Sequence, residues 1–403
     1  MGLAEQQQLE NSYVMPTFAR KPVCLVEGQG MQVRDDQGNA YLDFIAGIGV
    51  CCLGHSAPSI VDAVTEQAQQ LMHVSNYYYI EGRGELSHTV SDLLNEGASE
   101  DERYDWQSFY TNSGAESNEC MMKLARLYAR TKGNGGNTIV VLEGSFHGRT
   151  METLAATAQP VKQEAFEPLP QGFLPVPLND IDALRAAFDA QGSEICGIML
   201  EPIQGESGVH PCTVEFLQAA EALAREHGAL LLFDEVQTGI YRTGRPFAFQ
   251  LFGVIPDIVA IAKGIGGGFP MGMCAARREV AEVFEPGLHG TTFGGSCLAI
   301  AAASATLAEI ERQRIAENVE EVGAYLRERL AEIPGVHNVR GYGLMCACDL
   351  PEGVDANKVV LAGLSSGLLL NATGPSSLRF LPPLICRRED VDALVETLPG
   401  LFA

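Results

Sequence analysis

Long apolar runs are missing from this 403-residue sequence: no stretch approaches ~18 uninterrupted apolar residues, the length a membrane-spanning helix needs. The opening MGLAEQQQLENSY has neither the basic region nor the apolar core of a secretory signal, and Gln6 stands where a myristoylation motif would want Ser or Thr. Basic side chains are scarce, 27 Lys and Arg against 51 Asp and Glu, for a net charge of −24. A field of that sign repels phosphate backbones and anionic lipid, which argues against nucleic-acid and membrane partners. It also leaves an anionic substrate to be gathered by a few local arginines. No CxxC pair and no Cys/His cluster has metal-ligand spacing, so no metal site is expected. The 11 cysteines are odd in number and mostly sit in apolar runs such as ICGIML and LMCACDL, which predicts buried, reduced thiols in a cytoplasmic protein. Cys51-Cys52 is the one unusual pair and is read as packing filler. No GxGxxG joins a strand to a helix, and Lys263 precedes its glycine cluster instead of following it, so dinucleotide and P-loop readings fail.

What the chain does have is alternation. Met31–Asp43 (MQVRDDQGNAYLD) predicts two short strands around an Asp-Gln-Gly-Asn turn, and Pro58 to Met72 has helical periodicity. From about residue 105 short apolar runs alternate with helical stretches. Strands are predicted over Trp106–Thr111, Thr138–Leu142, Ile195–Leu200, Ala229–Phe233 and Ile258–Ala262, with helices over Glu116–Arg130 and Val214–Glu226. Ala299–Ile333 reads as helical up to a stop at Pro334. This pattern predicts an α/β domain around a mostly parallel central sheet flanked by helices. The tail, with RGYGLMCACDL and SLRFLPPL separated by a helix, predicts a smaller α+β unit that packs with the N-terminal hairpin. The expected division is a large domain over 55–300 and a discontinuous small domain from 1–54 and 301–403.

In parallel α/β sheets ligands bind beyond the carboxyl ends of the strands, and here those ends carry unusual chemistry. After FYT, the run Asn112-Ser113-Gly114-Ala115-Glu116 opens a helix, whose free amides and positive dipole end suit a phosphate. After TIVVLEG comes Ser145-Phe146-His147-Gly148-Arg149, an aromatic able to stack on a planar ring beside a guanidinium able to grip a carboxylate. ICGIML is followed by Glu201-Pro202-Ile203-Gln204-Gly205-Glu206, and ALLLF by Asp234-Glu235-Val236-Gln237. A carboxylate ending an apolar strand needs a cation, and a protonated pyridine nitrogen is one. PDIVAIA ends in Lys263, where desolvation favours the neutral amine that imine formation requires. Each feature alone admits a plainer reading: a helix cap, a core Phe beside a surface ion pair, an Asp paired with an Arg, a lysine reaching to solvent. Together they form one constellation, a phosphate seat, a ring stacker, a pyridinium partner and a Schiff-base lysine.

The stretches YLDFIAGIGV, LGHSAP, TNSGAESNECMMKLAR, FHGRT, EPIQGESGV, LLFDEVQTG, PDIVAIAKGIGGGFPMG, HGTTFGG and SLRFLPPL resemble the class III (ω-amino acid) aminotransferases, most closely the acetylornithine/succinylornithine aminotransferase group, over about residues 20 to 385. The resemblance implies a fold-type I homodimer with pyridoxal 5'-phosphate bound at the subunit interface. By position it implies a Schiff base on Lys263, Asp234 at the pyridine nitrogen, Gln237 near the ring hydroxyl and Phe146 stacked on the ring. It places the phosphate on Ser113, Gly114 and Ala115, joined by Thr292 of the partner subunit. Arg149 would hold the α-carboxylate of the donor. Arg379 would hold the carboxylate of 2-oxoglutarate or glutamate, with Glu206 able to neutralise it.

The implied reaction is ping-pong transfer of the δ-amino group of N2-acetylornithine to 2-oxoglutarate. Succinylornithine, succinyl-diaminopimelate, ornithine and 4-aminobutyrate are rival donors. An aminomutase, a cofactor-binding regulator and an oxidoreductase are more distant rivals. Four positions depart from the family pattern: Cys51 for an Asn, Ser207 in GESG for GEGG, Tyr241 in GIYRTG for GMGRTG, and Ser296 after TFGG for an Asn. None touches Lys263 or Asp234, so the departures bear on pocket shape.

Overall fold

The computed structural model describes residues 2–402. Its centre is a seven-stranded sheet. The strands, in chain order, are β1 (Trp106–Thr111), β2 (Thr138–Leu142), β3 (Phe173–Val176), β4 (Ile195–Leu200), β5 (Leu230–Asp234), β6 (Ile258–Ala262) and β7 (Gly272–Arg277). They lie in the order β1-β7-β6-β5-β4-β2-β3, all running one way except β7, which is antiparallel to both its neighbours. Every residue of β4, β5 and β6 is buried, as expected where helices cover both faces of a sheet and the strands read as unbroken apolar runs.

The five predicted strands all form. The two that periodicity does not find are the edge strand β3 and the reversed strand β7. β3 (FLPV) carries a proline, tolerated because an edge strand has one side free of ladder bonds. β7 (GMCAAR) is built from small and soft residues that show no β-branched signature. The stretch 299–333 forms two helices, Cys297–Arg312 and Ile315–Ala331, because Arg314 takes a left-handed φ of 53° between them. Helix Cys297–Arg312 runs through residue 300, so the boundary expected there falls inside a helix.

Register does the positioning. Asp234 at the end of β5 pairs with Ala260 of β6, and Phe233 pairs with Leu200 of β4. The residues at or just beyond these strand ends, Glu201, Asp234 and Lys263, therefore emerge side by side at one edge of the sheet. Helix α1 (Gly114–Thr131) begins at the same edge, directly after β1.

The remaining chain forms two small sheets. The hairpin strands Gln32–Asp35 and Ala40–Asp43 form as expected, joined by a turn that the Asp35 carboxylate ties together, accepting from Gln37 N at 2.9 Å, Asn39 N at 2.9 Å and Tyr41 OH at 2.9 Å. The Asn39 side chain, with these other donors, holds that carboxyl down to about 2. Ala40–Asp43 pairs in parallel with Leu368–Leu369, so the hairpin is completed by a strand from the far end of the sequence. A second sheet joins His337–Tyr342, Met345–Asp349, Ser377–Phe380 and Asn371–Ala372. Among the described residues no helix is long and apolar enough to cross a membrane.

One close approach ties helix Ile315–Ala331 to this second sheet. A Cβ added at Gly323 would meet the Gly343 carbonyl oxygen at 2.0 Å, a backbone atom that cannot swing aside. Alanine gains ~1 kcal/mol of helix propensity over glycine, whereas overpacking costs about 1–3 kcal/mol. Gly323→Ala is therefore expected to lower the urea midpoint of unfolding. A raised midpoint would show that propensity outweighs the contact.

Candidate active site

Asp234 sits buried at the floor of a cavity of about 470 Å³. Its Oδ2 accepts from Asn118 Nδ2 at 2.7 Å and pairs with His147 Nδ1 at 2.8 Å, while among the described residues Oδ1 accepts only from Val236 N at 3.0 Å. Asn118 comes from the second turn of α1, and its amide also donates to the His147 carbonyl at 2.7 Å. Helix and loop thus fix one buried carboxylate from two sides, and Oδ1 keeps lone-pair capacity toward the cavity it lines. Glu201 lies beside it, accepting from Phe146 N at 2.8 Å and Gly205 N at 3.2 Å. Burial, reinforced by the charge of Asp234, pushes Glu201 up to about 7 against the pull of His147. Glu235, next in sequence, points elsewhere. It ties the backbone amides of Ala248 and Phe249 at 3.0 and 2.8 Å, and burial raises it to about 7.

Lys263 follows β6 directly and lines the same cavity. Its backbone takes a left-handed φ of 49°, unusual for a residue with a Cβ. Burial pulls its ammonium down to about 8; Asp234 opposes the fall and the nearby Arg379 adds to it. The amine thus faces a carboxylate yet spends an appreciable fraction of its time neutral near pH 8.

The N-terminus of α1 closes one end of the cavity, with Ser113, Gly114 and Ala115 in its wall. Ser113 caps the helix, its Oγ accepting from Glu116 N at 3.2 Å. The first-turn amides have no acceptor within the helix. A Cβ at Gly114 would meet Val236 Cγ1 at 2.6 Å, so only glycine lets this turn approach the loop after Asp234. Phe146 and Arg149 form the opposite wall. The Arg149 guanidinium lies 5.5 Å from the Phe146 ring centroid, is exposed, and has no carboxylate partner among the described residues.

Gln237 lines the cavity and leads to Arg379, whose Nη1 donates to Gln237 Oε1 at 3.1 Å and to the Gly205 carbonyl at 2.9 Å. Asn371 Oδ1 takes the rest of that guanidinium, at 3.1 Å from Nε and 2.8 Å from Nη2. Arg379 is buried with neutral partners only, and burial brings it down to about 10. Glu206 does not bond to it. The Glu206 carboxylate pairs with Lys162 Nζ at 3.0 Å and accepts from Gln159 Nε2 at 3.2 Å. Thr292 lies away from this cavity, on a separate groove with Tyr77, Tyr79 and Tyr110.

The constellation thus brings Lys263, Asp234, Gln237, Phe146, Arg149 and Ser113–Ala115 around one cavity, keeps Arg379 and Glu206 just behind it, and leaves Thr292 outside. Four further residues, to which the sequence alone assigns no part, are His147, Asn118, Gln159 and Lys162. His147 is visible inside the FHGR cluster. Asn118 gives no signal, since a polar residue one turn into a helix is ordinary until a buried carboxylate is found facing it.

These residues fit pyridoxal phosphate. The glycine cradle at Gly114 and the helix amides suit a phosphate, Asp234 retains an acceptor for a protonated ring nitrogen, and Lys263 offers an amine with no hydrogen-bond partner of its own among the described residues. A lysine at about 8 is protonated and inert below that pH and a free nucleophile above it. Competitive acetylation of the cofactor-free chain, read by peptide mass, should give Lys263 a midpoint near 8; a midpoint in the ordinary lysine range would remove this account of its environment.

Comparison with known proteins agrees with this geometry. The family model described as "Aminotransferase class-III" matches residues 14–401. The chain is 45% identical to the acetylornithine aminotransferase of Caldanaerobacter subterraneus subsp. tengcongensis, over 98% of both chains. It is 44% identical to that of Aquifex aeolicus, over 96% of this chain and 99% of the relative. The crystal structure of the ornithine aminotransferase from Toxoplasma gondii superposes with a TM-score of 0.92 at 29% identity, covering 100% of this chain and 95% of the other. The chain belongs to the class III aminotransferases, enzymes that work with pyridoxal phosphate.

Proposed function

We propose that this enzyme is an acetylornithine aminotransferase, moving the δ-amino group of N2-acetylornithine to 2-oxoglutarate and releasing the semialdehyde and glutamate. The observation that carries the reading is the pairing of a Lys263 amine held near 8 with an Arg149 left without a carboxylate at the rim of the same cavity. The names of the relatives support the choice of donor. Ornithine as donor is the second reading, favoured by the ornithine aminotransferase among the superposed structures.

Pyridoxal phosphate, when bound, supplies an electron sink for the carbon from which the proton is lost. The chain's own residues do the rest. Asp234, held by Asn118 and His147, would meet the ring nitrogen with its free Oδ1. Gln237 would serve the ring hydroxyl, Phe146 would cover the ring, and Ser113, Gly114 and Ala115 would hold the phosphate with Thr292 of the partner subunit. Arg149 orients the donor through its α-carboxylate, bringing the δ-carbon within reach of Lys263. The Lys263 amine, once free, removes a proton from that carbon. Arg379 then binds the second carboxylate of 2-oxoglutarate in the return half-reaction. Glu206, engaged by Lys162, leaves the Arg379 guanidinium without a carboxylate partner and so open to that acceptor.

The same reading makes the protein a cytoplasmic homodimer. Tyr77 and Tyr79 are almost fully exposed beside the Thr292 groove, with Phe293 61% exposed next to it, an apolar surface suited to a second copy.

Lys263→Ala should reduce turnover by ~10²–10⁴-fold, the usual span for loss of a general base. Full activity in that variant would end the proposal. Across a panel of donors with 2-oxoglutarate, acetylornithine should give the highest kcat/KM, and a higher value for ornithine would move the assignment to the second reading. Arg149→Ala should raise the donor KM by about 10–100-fold, the cost of a lost charge-assisted contact, with little change for donors lacking the α-carboxylate. Light scattering of the loaded enzyme should give the mass of a dimer; a fully active monomer would exclude a shared site.

A further inference from the structure

One cluster of reactive groups plays no part in this chemistry. Cys51, one of the four departures from the family pattern, stands on the loop that follows the hairpin. Of the eleven cysteines only it and Cys24 are not buried. The Cys51 thiol lies close enough to the imidazole of His55 to help raise its pKa, after the larger effect of Asp43. The Nε2 of that ring meets Asp43 Oδ2 at 2.7 Å. Asp43 is buried and held in turn, its Oδ1 accepting from Ile45 N at 2.7 Å and Ala46 N at 3.0 Å. The backbone on both sides of the ring is fixed as well, since His55 and Gly30 exchange two hydrogen bonds of 2.9 Å. Cys51 itself is anchored through its N–H to the Ala46 carbonyl at 2.9 Å and through its carbonyl to Gly54 N at 3.0 Å. The result is a nucleophile, a base and a carboxylate that orients the base, the arrangement that activates a thiol.

We propose that Cys51, His55 and Asp43 form a reactive-thiol site beside the cavity, modified by small disulfides through thiol–disulfide exchange. His55, with its Nε2 engaged by Asp43, is the base that takes up the thiol proton as the sulfur attacks. The Asp43 bond, followed by the nearby Cys51, raises the ring to about 9. In the exchange the Cys51 sulfur bonds to one sulfur of the disulfide, the original S–S bond breaks, and the departing thiolate takes up a proton. One thiol and one disulfide are consumed and one of each is formed, so no separate oxidant enters. The adjacent Cys52 does not compete. It is buried, its Sγ donates to the Gly264 carbonyl at 3.1 Å, and burial pushes its thiol up to about 12. The Cys51 Sγ lies 3.9 Å from a Cβ built on Gly268, and Gly268 and Val50 both line the cavity. An adduct on Cys51 therefore abuts the turn that follows Lys263.

The test is peptide mass mapping of the loaded enzyme during exposure to 2-hydroxyethyl disulfide, with Cys24 as internal reference. Cys51 should acquire the mixed disulfide about tenfold faster than Cys24 or more, and dithiothreitol should remove it. His55→Gln should bring the Cys51 rate to within about twofold of Cys24, since the thiolate then loses its counter-charge, while Cys24 itself is unchanged. Equal rates at the two cysteines of the wild-type protein would overturn the proposal, whatever the folding of the variant. So would an unchanged Cys51 rate in folded His55→Gln. The readout is a mass, so the result stands apart from the identity of the amino donor.

Discussion

A buried carboxylate at the end of a fully apolar strand is the constraint around which this structure is organised. Asp234 cannot be accommodated there by packing alone, because an uncompensated buried charge is strongly unfavourable. The fold answers with three donors from three places: the Asn118 amide from α1, the His147 ring from the loop after β2, and the amide of Val236. Each side-chain donor then fixes something else. Asn118 ties the start of α1, and so the Ser113–Ala115 wall of the cavity, to the His147 loop, and that loop carries Phe146 and Arg149 into position. Glu201 holds the same loop by the Phe146 amide. Several elements of the site are thus tied to one another through a single charge.

The same economy of charge explains how a protein of net charge −24 handles carboxylate substrates. The acidic surface does nothing to attract them. Arg149 is left without an acidic partner among the described residues, and Arg379 is surrounded by amide and carbonyl oxygens in place of carboxylates. The carboxylate that could silence Arg379 is occupied by Lys162. Two guanidinium groups thus stay unpaired with any carboxylate of the described residues, and their charge is left for a carboxylate ligand.

Much of this is legible in the amino-acid sequence. The buried strands announce themselves as unbroken apolar runs, and Lys263, Asp234 and Glu201 draw attention because charges ending such runs are costly. What stays hidden has physical causes. β7 is made largely of Gly, Met, Cys and Ala, which carry little strand preference, and β3 holds a proline that only an edge position permits. The break at Arg314 depends on one left-handed residue inside an otherwise helical pattern. The contact of Glu206 with Lys162 instead of Arg379 follows from side chains 44 positions apart meeting in space, which no local pattern encodes. Cys51 reads as filler in the sequence because its neighbour Cys52 is evident there, whereas His55 turned toward it and Asp43 behind that ring are not.

The reversal of β7 has a consequence for how the pocket is closed. Had the chain crossed over after β6 to begin another parallel strand, it would have left for the opposite end of the sheet, and the catalytic end would have been open. Because β7 starts where β6 stops, Gly272 opposite Ala262, the intervening residues must double back on the spot. Gly268, Phe269, Pro270 and Met271 thereby become the ceiling over the amine that precedes them. One short hairpin supplies both Lys263 and its cover, so the two cannot drift apart: whatever loosens the seam between β7 and β1 unroofs the lysine as well.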